Sequence, residues 1–211
     1  MAKLYFRYSA MNAGKSTALI QVAHNYETDL GEGVLVFVPL IDSRFGTGRV
    51  TSRLGVNIEA QSLDDCDSVL TTIISNLDSS SEIKNELRLH SGRRLGCILV
   101  DEAQFLNPTQ VRDFHRFAHI HSTPVICYGI RTDFLGNVFP GAAALLSLAD
   151  AIEEVKTVCF RCKNRKATMN PRVDANGNRV FVGDQIGIEG VDHKYSPMCA
   201  KCFYGDSLRF V

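Results

Sequence analysis

Leu4-Tyr5-Phe6-Arg7-Tyr8-Ser9-Ala10-Met11-Asn12-Ala13-Gly14-Lys15-Ser16 is the stretch whose reading decides the fold. A short apolar and aromatic run, Leu4 to Tyr8, ends in a loop of small residues. After it Ala18, Leu19, Val22, Ala23 and Tyr26 recur at helical spacing. The order is strand, loop, helix. Gly14-Lys15-Ser16 completes the tail of the phosphate-binding pattern G-x-x-x-x-G-K-[ST], with Ser9 standing where the first Gly is expected. A bare Gly-Lys-Ser/Thr triplet arises in roughly 7% of shuffled chains of this composition, so the strand before it and the helix behind it carry the argument. In such a loop the backbone N–H groups at a helix N-terminus surround phosphate oxygens, Lys15 supplies a mobile positive charge, and Ser16 would ligate Mg²⁺.

Working outward, Val34 to Pro39 and Cys97 to Val100 read as buried strands. Asn107-Pro108 reads as a helix cap with Pro at the first helical position, followed by Val111, Phe114 and Ala118 and a helix end near His121. Val125 to Tyr128 is the next strand, Ala142 to Leu148 a helix, and Ile152 to Val158 a strand leading out of the core. Short apolar runs separated by helices predict an α/β fold with a parallel sheet. Residues 78 to 96 are polar and read as a surface excursion that holds at most a short helix.

The strand Ile98-Leu99-Val100 ends in Asp101 and Glu102, where a nucleotide-binding sheet places its metal-side acid. Asp101 would then hold Mg²⁺, directly or through water. A second carboxylate beside the metal, Glu102, can take a proton from the nucleophile, either water in an ATPase or a hydroxyl in a kinase.

Composition narrows the classes. With 45% apolar residues and only 6 Pro, the chain has material for a core and is not a disordered sequence. Lys plus Arg and Asp plus Glu are each 23, so no general attraction to nucleic acid or to a membrane surface is expected. No run approaches the roughly 18 apolar residues of a membrane span, and the N-terminal stretch lacks a leader's apolar core, so a cytoplasmic protein is expected.

Seven cysteines, an odd number, include two Cys-x-x-Cys pairs, Cys159 with Cys162 and Cys199 with Cys202. Random placement gives two such pairs in only about 2% of chains, and four thiolates fill a closed tetrahedral Zn²⁺ site. From Cys159 onward the texture changes: Asn176-Gly177 has the form of a hairpin turn, and Gly183, Gly187 and Gly190 mark a loop. A boundary near 157 divides a core, 1–156, from a metal-stapled tail, 157–211, with few large aliphatics. Residues 1–156 hold 14 basic and 18 acidic side chains and 157–211 hold 9 and 5, a mild asymmetry that reads as a solvated face, with a phosphate-facing flap as the alternative. Cys66, Cys97 and Cys127 read as buried small hydrophobes. His115, His119 and His121 read as a polar helix face rather than a metal site.

These motifs resemble the type II thymidine kinases, the cytosolic enzymes of animals and many bacteria, over nearly the whole chain. Lys3 to Phe6 with Ser9 to Ser16 looks like the bacterial form of the loop, in which Ser can replace the first Gly. Asp101-Glu102-Ala103-Gln104-Phe105 looks like the family's Asp-Glu-x-Gln-Phe box, and the spaced cysteine pairs look like its zinc site. The resemblance implies a RecA-like sheet and a small zinc-binding domain carrying a lasso loop over the nucleoside. It implies ATP with Mg²⁺ held by Ser9, Ala10, Met11, Asn12, Ala13, Gly14, Lys15, Ser16, Asp101 and Gln104, with Arg44 of Asp42-Ser43-Arg44 stabilising phosphate. Glu102 is implied as general base on the 5′-hydroxyl of thymidine. Met11, Phe105, Ile130, Phe134, Phe139 and Tyr195 are implied to line the thymine pocket, with the lasso backbone at Ile188 reading the base edges. The family's Ile-Gly-Gly is Ile188-Glu189-Gly190 here, which changes the backbone offered to the base, and Met169 is the match to a further pocket position. Structural Zn²⁺ on Cys159, Cys162, Cys199 and Cys202, a homotetramer, and feedback inhibition by thymidine triphosphate complete the implication.

Two other classes read the same residues. A nucleic-acid-stimulated ATPase module could use the Asp-Glu-Ala-Gln box, but a helicase generally needs two such cores, and zero net charge offers no basic track. A zinc-stabilised adaptor could bind nucleotide without turning it over.

Overall fold

The computed structural model describes residues 2–40, 48–78, 86–183, 185 and 194–205. Arg44 and Ile188, with Asp42, Ser43, Gly187, Glu189 and Gly190, lie outside the described residues.

Six strands form the central sheet: β1 (Leu4–Tyr8), β2 (Gly33–Pro39), β5 (Gln61–Leu63), β6 (Leu95–Val100), β7 (Val125–Gly129) and β8 (Ala151–Glu154). Their spatial order is β5-β2-β6-β7-β1-β8, and every neighbouring pair is parallel. Helices α1 (Lys15–Thr28), α2 (Val69–Ile74), α3 (Pro108–Ile120) and α4 (Pro140–Leu148) cover it on both faces. Alternate residues serve opposite cores: Phe6, Phe37, Ile98, Val100 and Cys127 pack with Ile73, Phe114 and Leu145 of α2, α3 and α4. Val36, Val38, Leu99 and Tyr128 pack on the other side with Leu19 and Ala23 of α1. A sheet covered on both faces needs apolar residues at consecutive positions, which is why its strands read as unbroken apolar runs.

The sequence missed smaller elements. An antiparallel hairpin, β3 (Arg49–Thr51) with β4 (Asn57–Glu59), adds Val50 and Ile58 to the α1 face. Three residues per strand, with Val50 buried in β3 and Ile58 half-buried in β4, carry no measurable periodicity. The same holds for β5 and for the six-residue α2. The strand expected over 152–158 is shorter, ending at Glu154. The excursion ends at Arg94, because Leu95 and Gly96 are buried in β6; its described part is bridged by Leu77 with Leu89 and Arg88 with Arg94, and no helix occurs among its described residues.

Helix α3 starts as its sequence predicts. The Asn107 side chain accepts from the Thr109 and Gln110 N–H groups at 2.8 and 2.9 Å, and the Gln110 side chain accepts from the Asn107 N–H at 3.1 Å. Such a reciprocal cap is worth about 1 kcal/mol.

Beyond β8 lies a three-stranded antiparallel sheet of two-residue strands, β9 (Arg172–Val173), β10 (Arg179–Val180) and β11 (Lys194–Tyr195), followed by α5 (Ala200–Gly205). The Asn176-Gly177 turn joins β9 to β10, and Asp174 closes it by accepting the Asn176 and Asn178 N–H groups. Apolar packing here is slight: Val173 and Met198 gather around the four cysteines of the two pairs.

Candidate active site

Because all six strands of the central sheet run one way, their carboxyl ends share an edge, and ligands of such sheets bind there. The Ser9–Ser16 loop leaves β1, Asp101 and Glu102 leave β6, and Ile130 follows β7, which lies between the other two. One strand of separation brings the loop and the carboxylates face to face.

Gly14 caps α1 with φ 80°, in the left-handed region, and a Cβ there would meet nothing within 4 Å. The requirement is therefore backbone conformation, not room. The Lys15 ammonium is buried and donates to the Ser9 hydroxyl at 3.1 Å and to the Ala10 carbonyl at 3.4 Å. Ser9 thus supplies a hydroxyl contact to Lys15 that the consensus Gly could not. Met11 is tied from outside the loop: its N–H donates to Oδ1 of Asn170 at 2.7 Å, and Asn170 is buried. Asn12 holds φ 61°.

Ser16 Oγ donates to Asp101 Oδ2 at 2.7 Å, joining the loop to the end of β6. Burial pushes the Asp101 carboxyl up to about 6, the Glu102 charge adds to this, and the Ser16 hydroxyl, the Glu102 N–H and the Lys15 charge oppose it. Two carboxylates and a hydroxyl on one desolvated edge form an all-oxygen donor set that suits a hard divalent cation. A cleft beside them is lined by Ser16, Val38, Arg49, Val50, Thr51, Asp101 and Glu102. Arg49, from β3, was not anticipated from the sequence, where its hairpin gave no signal.

Glu102 adopts φ 47° and ψ 38°, a left-handed conformation costing about 1–3 kcal/mol for a residue with a side chain. Its surroundings hold it there. Its N–H donates to Asp101 Oδ1 at 3.0 Å, and its carboxylate accepts from the Gln104 amide at 2.5 Å. Gln104, fully buried in the 3-10 turn Ala103–Phe105, uses its Oε1 to accept the Ile130 N–H at 3.0 Å. A Cβ on Gly129 would stand 2.7 Å from that oxygen, so the glycine is what lets Gln104 approach the strand. Gln104 therefore bridges Glu102 and the end of β7.

The apolar residues fall into two groups. Met11, Phe105, Ile130 and Phe139 pack together at the edge of the main core, with the Phe105 and Phe139 rings 5.5 Å apart and near perpendicular. Phe134 and Tyr195 flank Arg172, whose guanidinium lies 4.1 Å from the Phe134 ring centre and donates to the Tyr195 hydroxyl at 2.9 Å. Met169 reaches the same loop, next to Gly136. Asp133 shapes that loop, accepting the Leu135, Gly136 and Asn137 N–H groups on one oxygen and the Gln185 amide on the other. Asn170, Arg172 and Gln185 come from the C-terminal segment. Contacts spanning 159 residues, as between Met11 and Asn170, leave no local pattern in a sequence.

The Sγ atoms of Cys159, Cys162, Cys199 and Cys202 all lie within 4.8 Å of one another, and Cys162 and Cys199 are 3.9 Å apart. Tetrahedral Zn–S bonds of 2.3 Å require sulfurs about 3.8 Å apart, so the donor set fits Zn²⁺. N–H groups of Asn164 and Arg165 lower the Cys162 thiol to about 6, while desolvation and the neighbouring sulfurs push Cys202 up to about 12. A divalent cation resolves that conflict by favouring all four thiolates.

The family profile described as thymidine kinase matches residues 2–203. A protein named thymidine kinase from Chromobacterium violaceum is 45% identical over 206 residues, covering 98% of this chain and 100% of the relative. Another so named, from Idiomarina loihiensis, is 46% identical, covering 95% of each chain. A third, from Vibrio cholerae, is 45% identical over 94% of this chain and 95% of its own.

Proposed function

The chain belongs to the thymidine kinase family, and from that premise we propose that it transfers the γ-phosphoryl group of ATP to the 5′-hydroxyl of thymidine, with deoxyuridine as a second acceptor. The observation that carries the reading is the placement of Glu102 beside Asp101, Ser16 and the Lys15 loop at one sheet edge. Loop N–H groups and Lys15 bind the phosphates. Ser16 and Asp101 would hold Mg²⁺, which when bound neutralises phosphate charge. Glu102, fixed by Gln104, accepts the proton of the 5′-hydroxyl as its oxygen attacks the γ-phosphorus in line and ADP departs. Positioning and charge neutralisation supply most of the rate. Arg49 stands in the cleft where it can add positive charge to the transferring group, and Arg44 is proposed for the same task.

The thymine side is apolar, from Met11, Phe105, Ile130, Phe134, Phe139 and Tyr195, with Ile188 contributing backbone. One methyl in such a pocket is worth about 1–3 kcal/mol, which favours thymidine over deoxyuridine without excluding the latter. Structural Zn²⁺ on the four cysteines would hold the segment that carries Asn170, Arg172 and Tyr195 against the core. Metal analysis finding no zinc in purified protein contradicts this part.

Glu102→Gln tests the mechanism. The variant is expected to retain MgATP binding and lose most turnover, and near-normal activity removes Glu102 from the base role. No described helix is long and apolar enough to cross a membrane. A cytoplasmic homotetramer inhibited by thymidine triphosphate, as the resemblance implies, belongs to the same proposal. Sedimentation as a stable monomer under assay conditions contradicts the assembly.

A further inference from the structure

At the opposite end of the sheet from the phosphate loop, α3 places His115 and His119 one turn apart, and the chain before β8 brings Asp150 to both. The His119 Nε2 lies 3.0 and 3.1 Å from the two Asp150 oxygens, and the His115 Nε2 lies 3.9 Å from Oδ1. The imidazole rings are 4.7 Å apart between centres. All three donor atoms fall within 4.8 Å of one another, and the groups are partly open to solvent. We propose that His115, His119 and Asp150 form a second metal site, separate from the four cysteines, for a divalent first-row transition ion such as Zn²⁺, Ni²⁺ or Cu²⁺.

Three features carry this. Bonds of about 2.1 Å set ligand atoms roughly 3.0–3.4 Å apart in octahedral or tetrahedral sites; the 3.0 Å separation already fits, and the 3.9 Å one, like the third within 4.8 Å, closes by small rotations of partly open side chains. The carboxylate is already oriented: Asp150 Oδ2 also accepts the Leu4 N–H at 2.8 Å, and the Asp150 N–H donates to the Leu4 carbonyl at 2.9 Å. Outer contacts of that kind fix a ligand before the ion arrives. Finally, His119 sits in the last turn of α3, where the helix dipole favours a cation. Two imidazoles and one carboxylate select borderline transition ions over Mg²⁺ and leave open coordination positions for water.

In sequence the two histidines belonged with His121, which instead packs against Phe117. Asp150, 31 residues beyond His119, supplies the third ligand. A bound ion would tie the end of α3 to the starts of β1 and β8. It plays no part in phosphoryl transfer at the far edge.

The test uses full-length protein with its cysteine site loaded with zinc, dialysed against metal-free buffer and titrated with Ni²⁺ by calorimetry, alongside thermal unfolding. One further equivalent should bind and raise the melting temperature. Affinity should fall tenfold or more in His115→Gln and in Asp150→Asn, while Mg²⁺ gives no heat. Circular dichroism matching the parent establishes that each variant is folded, and His115→Gln, which removes no hydrogen bond to Leu4, guards against instability in Asp150→Asn. Absence of a second equivalent, or binding unchanged in both variants, overturns the proposal.

Discussion

Gln104→Leu isolates the positioning of the proposed base from the base itself. The substitution puts an apolar side chain of similar size into a fully buried site, and removes both the donor to the Glu102 carboxylate and the acceptor for the Ile130 N–H. A hydrogen bond to a charged group is worth about 1.5–3 kcal/mol, and Glu102 needs such support because its left-handed backbone is itself unfavourable. If that support serves the transition state, at 1.4 kcal/mol per factor of ten, kcat falls on the order of 10- to 100-fold. The orphaned Ile130 N–H costs about 1–3 kcal/mol of stability, or roughly 2–4 °C in Tm per kcal/mol for a chain of this size. KM for ATP should stay near the parent value, since the Gln104 side chain bonds to Glu102 and Ile130 and not to the loop. Steady-state rates with thymidine and MgATP, together with thermal unfolding, read both effects. Gln104→Glu is the companion: its carboxyl oxygen can still accept from Ile130, but a second buried carboxyl against Glu102 disfavours the charged form of both, so the rate should stay low. A kcat within twofold of the parent in Gln104→Leu refutes the positioning argument even if Tm falls.

Other expectations follow from single contacts. Asn170→Ala removes the acceptor for the Met11 N–H at 2.7 Å, and loss of one buried hydrogen bond of about 1 kcal/mol should raise KM for MgATP roughly fivefold, read from initial rates. Burial pushes the Cys97 thiol up to about 12 and raises Cys127 further, so neither forms thiolate at neutral pH, whereas Cys66, expected to be buried, lies exposed in the turn before α2. Zinc-loaded protein treated with a thiol reagent at pH 8 should therefore show one fast cysteine, and four more after the metal is removed; fast labelling of Cys97 in folded protein contradicts this. Asn107→Ala breaks the cap of α3 and should cost about 1 kcal/mol in denaturant unfolding with no change in kcat.

The parallel sheet was legible because a strand buried on both faces must be apolar throughout, and Val34 to Pro39 or Cys97 to Val100 cannot be confused with a surface element. The loop and the acids were legible for a related reason: each directly follows such a strand, so the end of the apolar run dates the start of the chemistry. The three-residue β3, β4 and β5 and the six-residue α2 were not legible, and Arg49 was lost with them. Roles set by distant partners were equally hidden. Gln104 read as one more residue on the nucleotide side, and only the approach of Gly129 shows it gripping Glu102. Ser9 read as a departure from the consensus, and only the fold of Lys15 back across the loop gives its hydroxyl a purpose. Asn170 and Asp150 act across 159 and 146 residues of chain, on Met11 and on Leu4, and no spacing rule connects them.

The most direct test of the account is a steady-state assay with MgATP and a panel of nucleosides that follows ADP and nucleoside monophosphate together. Thymidine-dependent ADP formation should be matched one to one by thymidine monophosphate, with deoxyuridine slower. ADP released without phosphorylated nucleoside would mean that Glu102 activates water, and would contradict the assignment of the 5′-hydroxyl as nucleophile.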